Sequence, residues 1–82
     1  PKIKNLEDLK VGLRLPGIVQ NITHFGCFVD VGIKENGLLH VSKIAKEFIA
    51  DVNSKIHMHQ ELLVTVVSID LENRKFQLSL ID

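Results

Sequence analysis

Residues 62–80, "LLVTVVSIDLENRKFQLSL", constrain the fold more than any other stretch. Leu62–Asp70 is dense in β-branched residues, which suit a strand. "LENR" reads as a turn. Lys75–Leu80 then alternates, with Phe76, Leu78 and Leu80 on one side and Lys75, Gln77 and Ser79 on the other. A period of two belongs to a strand with one face on a core and one in solvent.

The earlier residues read the same way. Leu13–Thr23 is a long strand interrupted by Pro16-Gly17, a pair that belongs at an edge, a bulge or a barrel corner. Phe25–Val31 is a second strand, and "GIKENG" (32–37) is a hairpin loop with Asn36-Gly37 as its turn signal. Leu38–Val41 is a short third strand. Ser42 is placed to cap a helical turn that "AKEFIA" continues, with Ile44, Phe48 and Ile49 at helical spacing. Asp51 caps a second turn through Ile56. Residues 1–12 form a lead-in, in which Asn5 caps a brief turn over Leu6 and Leu9.

Three strands, a helical connection and two more strands predict an all-β protein. The arrangement matches a five-stranded antiparallel Greek-key barrel (OB-fold) with a short helical segment between strands 3 and 4. Periodicity alone leaves an SH3-like barrel open.

The chain has 82 residues, enough for one small domain. It begins at Pro1 and reads as a module cut from a longer chain, or trimmed. No apolar run approaches the roughly 20 residues of a membrane span. The single cysteine, Cys27, excludes an internal disulfide and points to a reducing, cytoplasmic compartment. The formal net charge is zero. A nucleic-acid partner would therefore need positive charge concentrated on one face, with modest affinity.

"HFGCFVDVG" (24–32) poses a puzzle. Phe25 and Phe28 are three apart, so simple alternation puts their rings on opposite faces. Gly26 offers a resolution: a β-bulge there, or at Cys27, would swing Phe25 to the side of Phe28.

"GIV" (17–19), "FGCFV" (25–29), "GLLHVS" (37–42), "VTVVSID" (64–70) and "RKFQLS" (74–79), in this order, resemble the S1 RNA-binding domain. "NLEDLKVG", "NITHFGCFVDVGI", "KEFIADVNSKI" and "SIDLENRKFQLSL" are similar to the S1 domain of Tex-type transcription accessory proteins. The resemblance implies an OB-fold whose surface stacks bases and meets the phosphate backbone. By position it makes Phe25 and Phe28 the stacking rings, His40 a third contact and Asp70 the acid. The basic position falls on Arg74 or Lys75, depending on the anchor chosen. Gly26, Lys34, Lys43 and Asp70 would support the site. Histidine titrates near neutral pH, so His40 would make binding pH-sensitive.

Each residue also has a plainer reading. A strand phenylalanine is most often core, and Phe48 and Phe76 are read so. Asp70 can simply hold its turn, and Lys34 and Lys43 can be solvated. Cys27 is a small packed residue. His57 and His59 in "HMHQ", with His24 elsewhere, make a poor zinc site. The family usually has glycine where His59 stands, which puts the turn before strand 4 in question. No nucleophile–base–acid set, glycine-rich phosphate loop or paired carboxylates is evident, so neither catalysis, metal nor cofactor is expected. The expected role is non-catalytic binding of single-stranded RNA, with single-stranded DNA left open, by a monomeric module of a larger transcription or RNA-handling protein. A protein–protein docking module is the alternative.

Overall fold

The computed structural model describes residues 3–81. Five strands close into a barrel in the order β1-β2-β3-β5-β4. They are β1 (Arg14–Thr23), β2 (Gly26–Asp30), β3 (Gly37–His40), β4 (Glu61–Asp70) and β5 (Lys75–Ser79). Four pairings are antiparallel, and β3 with β5 closes the barrel in parallel. This is the OB-fold arrangement. The parallel pair follows from chain order: the long connection carries β4 across the barrel, and the tight turn brings β5 back beside β3.

The two ten-residue strands serve two neighbours each. β1 pairs with β4 over Arg14–Ile18 and with β2 over Ile18–Thr23. One extra residue stands in each, Gln20 in β1 and Val67 in β4, where the register shifts. Such bulges sharpen the coil that a small barrel requires. Pro16 and Gly17 sit inside β1 and do not interrupt it. Over Arg14–Gly17 only one flank of β1 has a strand partner, so the missing proline N–H is tolerated. A Cβ on Gly17 would lie 2.4 Å from the Val29 side chain, which explains glycine at this bend.

Inward residues of the strands, Val19, Cys27, Val29, Leu39, Val64, Val66, Phe76 and Leu78, form one core. The lead-in adds Leu6 and Leu9, and the β3–β4 connection adds Ile44, Val52 and Ile56. Asn5 stands at the start of the lead-in turn, but the cap acceptor is Asp8, which takes the N–H groups of Lys4 and Asn5.

Four expectations change. The helical connection is reduced to two 3₁₀ turns, Val41–Lys43 and Val52–Ser54. Asp51 caps the second through the Asn53 N–H, as expected, but the cap of the first is His40 and not Ser42. Without a helix, Ile44, Phe48 and Ile49 share no face: Ile44 is buried, Ile49 half-buried, and Phe48 is 89% exposed instead of core. Ser79 is buried, because the chain at Lys43 lies over this end of β5 and accepts the Leu80 N–H at 2.9 Å.

The turn before β4 is made despite its histidine. His59 takes φ 62°, the left-handed conformation that glycine favours, and donates its N–H to the Val19 carbonyl. His59→Gly should therefore raise the unfolding free energy by about 0.5–1 kcal/mol, the left-handed cost of roughly 1–2 less the added entropy of glycine. Urea unfolding checks this; unchanged or lower stability contradicts the strain.

Candidate nucleic-acid interface

The geometry of the outer face starts at the β1–β2 hairpin. Its turn is His24–Phe25, closed by Thr23, whose hydroxyl accepts the Phe25 N–H and donates to the Gly26 carbonyl. Phe25 is thus a turn residue and escapes strand alternation. Phe28 points outward because Cys27 and Val29 point in. No bulge stands at Gly26 or Cys27: β2 pairs regularly with β3, and the extra residue is Gln20, across the hairpin.

Gly26 acts by closeness instead. Its φ is 151°, and a Cβ there would lie 2.2 Å from the Leu39 carbonyl oxygen and 2.9 Å from His40 Cα. The chain then runs tight against β3, and the Phe25 carbonyl accepts the Val41 N–H at 2.8 Å. The two rings end up on one side, 6.2 Å apart at 89°. His24, which the sequence offered only as a poor metal ligand, packs edge-on against Phe25 at 5.4 Å. Phe25 is exposed and Phe28 half-buried.

Strand register extends this face. Phe28 pairs with Asn21 on β1 and Leu38 on β3, Leu38 with Gln77 on β5, and Gln77 with Ser68 on β4. These five form one outward row across the sheet. His40, paired with Gly26, stands at one side of it. Lys75 stands at the other and lines a hollow of about 310 Å³ with Phe28, Asn36, Leu38 and Gln77. Asn21 and Gln77 had no signal in the sequence beyond their outward parity.

His40 Nδ1 accepts the Ser42 N–H at 3.2 Å and meets the Ser42 hydroxyl at 2.9 Å. An acceptor of a backbone N–H carries a lone pair there, so Nε2 holds the proton and is the outward donor.

The two candidate bases separate. Arg74, with φ 57°, is held by Glu7 of the lead-in and by Glu35 of the β2–β3 loop, Nε to Glu35 Oε2 at 2.9 Å. These two carboxylates hold its guanidinium above its usual range, and in return Arg74 holds Glu7 below the carboxylate range. Lys75 is exposed and takes part in no ion pair among the described residues. The fold therefore brings together Phe25, Phe28, His40 and Lys75, and keeps Arg74 occupied elsewhere.

Of the supporting residues, Lys34 is exposed in the β2–β3 loop and Lys43 at the end of the first 3₁₀ turn. Asp70 closes the β4–β5 turn, accepting from the Asn73 side chain at 2.8 Å and its N–H at 3.2 Å. Those bonds lower its pKa, with a smaller contribution from Lys75. Cys27 is fully buried, and desolvation pushes its thiol up to about 11, so it remains a packed, protonated side chain.

A lowered folded-state pKa means that Asp70 adds stability above the unfolded carboxyl range and loses it as pH falls through the folded value. Asp70→Asn should lower stability at neutral pH and flatten its decline below roughly pH 4. Thermal unfolding across that range is the measurement; an acid limb identical to that of the unaltered chain contradicts the role.

Comparison with known proteins places this arrangement. The family model described as the S1 RNA binding domain matches residues 8–81. The chain is 33% identical to protein tex of Bordetella pertussis, over 95% of this chain and 10% of that protein. It is 38% identical to the small ribosomal subunit protein bS1 homolog of Bacillus subtilis, over 94% of this chain and 20% of that one. The solution structure of GSP13 from Bacillus subtilis superposes with a TM-score of 0.83 at 28% identity, covering 94% of this chain and 58% of that one. The chain spans about a tenth of the length of the Tex-type relatives it matches.

Proposed function

This chain belongs to the S1 RNA-binding domain family, and from that membership we propose that its outer face holds a single RNA strand through Phe25, Phe28, His40 and Lys75. The observation that carries the reading is the pair of outward rings 6.2 Å apart, beside a lysine with no ion pair among the described residues.

Each part has a physical role. Aromatic rings accept the π-face of any base, at roughly 1–3 kcal/mol per base, so stacking brings affinity without sequence preference. Lys75 meets a phosphate at the edge of the Phe28 hollow, and His40 Nε2 donates to a phosphate or base edge on the other side. Asn21 beside Phe28, and Gln77 one strand beyond Leu38 in the same row, offer donors and acceptors that suit a 2′-hydroxyl, the group that separates RNA from DNA. Gly26 and Asp70 act indirectly, by setting the hairpin and the turn. In this reading the module is monomeric and cytoplasmic and supplies binding to a larger RNA-handling protein, and any catalysis lies in that protein's other parts. Single-stranded DNA would bind on the same rings, less favoured by the missing 2′-hydroxyl.

The net charge of zero favours a rival, protein docking on the same face. Labelled oligo(U) separates the two. Phe25→Ala with Phe28→Ala should weaken binding by one to several orders of magnitude, from about 1–3 kcal/mol per ring, with the fold intact because both rings lie outside the core. Lys75→Ala should reduce the slope of log affinity against log salt by about 0.7, and Arg74→Ala should leave it nearly unchanged. Unaltered affinity in the double variant would sink the RNA reading and leave docking.

A further inference from the structure

Phe48 is the largest anomaly of the surface. A phenylalanine 89% exposed buries almost nothing, and the core is complete without it. It does not stand alone. Phe48 lines a groove with Val41, Ser42, Ala45, Lys46 and Ile49. That groove begins where the ring face ends: the Val41 N–H is bonded to the Phe25 carbonyl, and the Ser42 N–H to His40 Nδ1.

The local charge suits a phosphate backbone. Glu47, the one acid of the groove wall, is bonded to Lys55 at 3.3 Å. Lys43 and Lys46 take part in no ion pair among the described residues. An exposed ring in a groove that holds Lys46, with Lys43 nearby in the chain and the face of two other outward rings adjoining it, is the combination that holds single strands: planar faces for bases and cations for the phosphates between them.

We propose that Phe48 is a further stacking residue, and that a single RNA strand leaving the Phe25–Phe28–His40 face crosses Ser42 and continues over Lys46 onto this ring. The inference rests on the RNA reading above and extends its site along the β3–β4 connection. The connection has no regular secondary structure between its two 3₁₀ turns, so Phe48 can adjust to the base it meets. The four phenylalanines then divide their roles, with Phe76 packing the core and the other three facing the strand.

The test compares oligo(U) of about four and about ten nucleotides, lengths at the low end and in the middle of the range one such barrel covers. The short oligomer fills the Phe25–Phe28 face, and the long one reaches Phe48. Phe48→Ala should weaken the long oligomer by about ten-fold and leave the short one unchanged. Lys46→Ala should lower the salt slope by about 0.7 for the long oligomer alone. Phe48→Trp gives the chain its sole tryptophan, and its emission should be quenched by the long oligomer only. Equal affinities of Phe48→Ala and the unaltered chain for both lengths, or a tryptophan that the long oligomer does not quench, overturn the extension while the RNA reading stands. Failure of the unaltered chain to bind either length overturns both.

Discussion

The approach of Gly26 to the backbone of β3 decides what the outer face of this barrel can be. With a side chain at this position the Leu39 carbonyl would be struck at 2.2 Å, and β2 could not enter its pairing where it does. Once the strands touch there, the Phe25 carbonyl reaches the Val41 N–H, and one hydrogen bond ties the hairpin turn to the start of the β3–β4 connection. The consequence spreads both ways along the chain. Phe25 is held beside Phe28, and Val41–Ser42 is held beside His40. The ring face and the groove that leads away from it share this one contact.

Charge is arranged as narrowly. Ten basic and ten acidic residues cancel, so no general attraction to phosphate exists. What matters is which cations are free. Arg74 is held by Glu7 and Glu35, and Lys55 by Glu47. The Glu35 side chain is largely buried, and one of its oxygens has no partner among the described residues, so Arg74 cannot leave without stranding an uncompensated carboxylate in a poorly solvated site. Arg74 is thereby a structural cation that anchors the lead-in and the β2–β3 loop. Lys75, one residue on and of opposite parity, inherits the outward position. Two adjacent basic residues, indistinguishable by spacing, are separated by the turn between them.

The barrel was legible in the sequence because its signal is local. Alternation in 75–80, the β-branched run in 62–70 and the apolar run of 25–31 are all local signals, and each holds a strand in the structure, the last starting at Gly26 after the Phe25 turn. The S1 motifs made the ring pair legible in the same way. What escaped notice depends on contacts between segments far apart in sequence. The helical spacing of Ile44, Phe48 and Ile49 was misleading because contacts distant in sequence set this connection: Ile44, Val52 and Ile56 pack into the barrel core while Phe48 stays outside it. Ser79 has the outward parity expected, yet is covered by the distant segment at Lys43. The bulge belongs to Gln20, a residue with no local sign of it, because register is a property of the pair and not of either strand.

A neutral barrel with outward rings binds by a balance unlike that of a basic one. Counterion release scales with the number of phosphates neutralised. On the proposed path, with Lys75, Lys43 and Lys46 as the cations along the strand, that number would be small, and stacking would carry the larger share. Stacking reads neither sequence nor charge, and it acts only on bases already splayed from a duplex, so on the proposed reading the face would select for single strands. Each ring adds a modest increment, which makes the number of rings in line the variable that sets affinity. A barrel with two rings would hold a strand weakly, and the proposed third on the adjoining connection would lengthen the contact without altering the fold, because the Phe48 ring itself lies outside the core. Tethering to other nucleic-acid contacts would multiply so modest an affinity by effective concentration, and a module that binds weakly and without sequence preference gains most from such tethering.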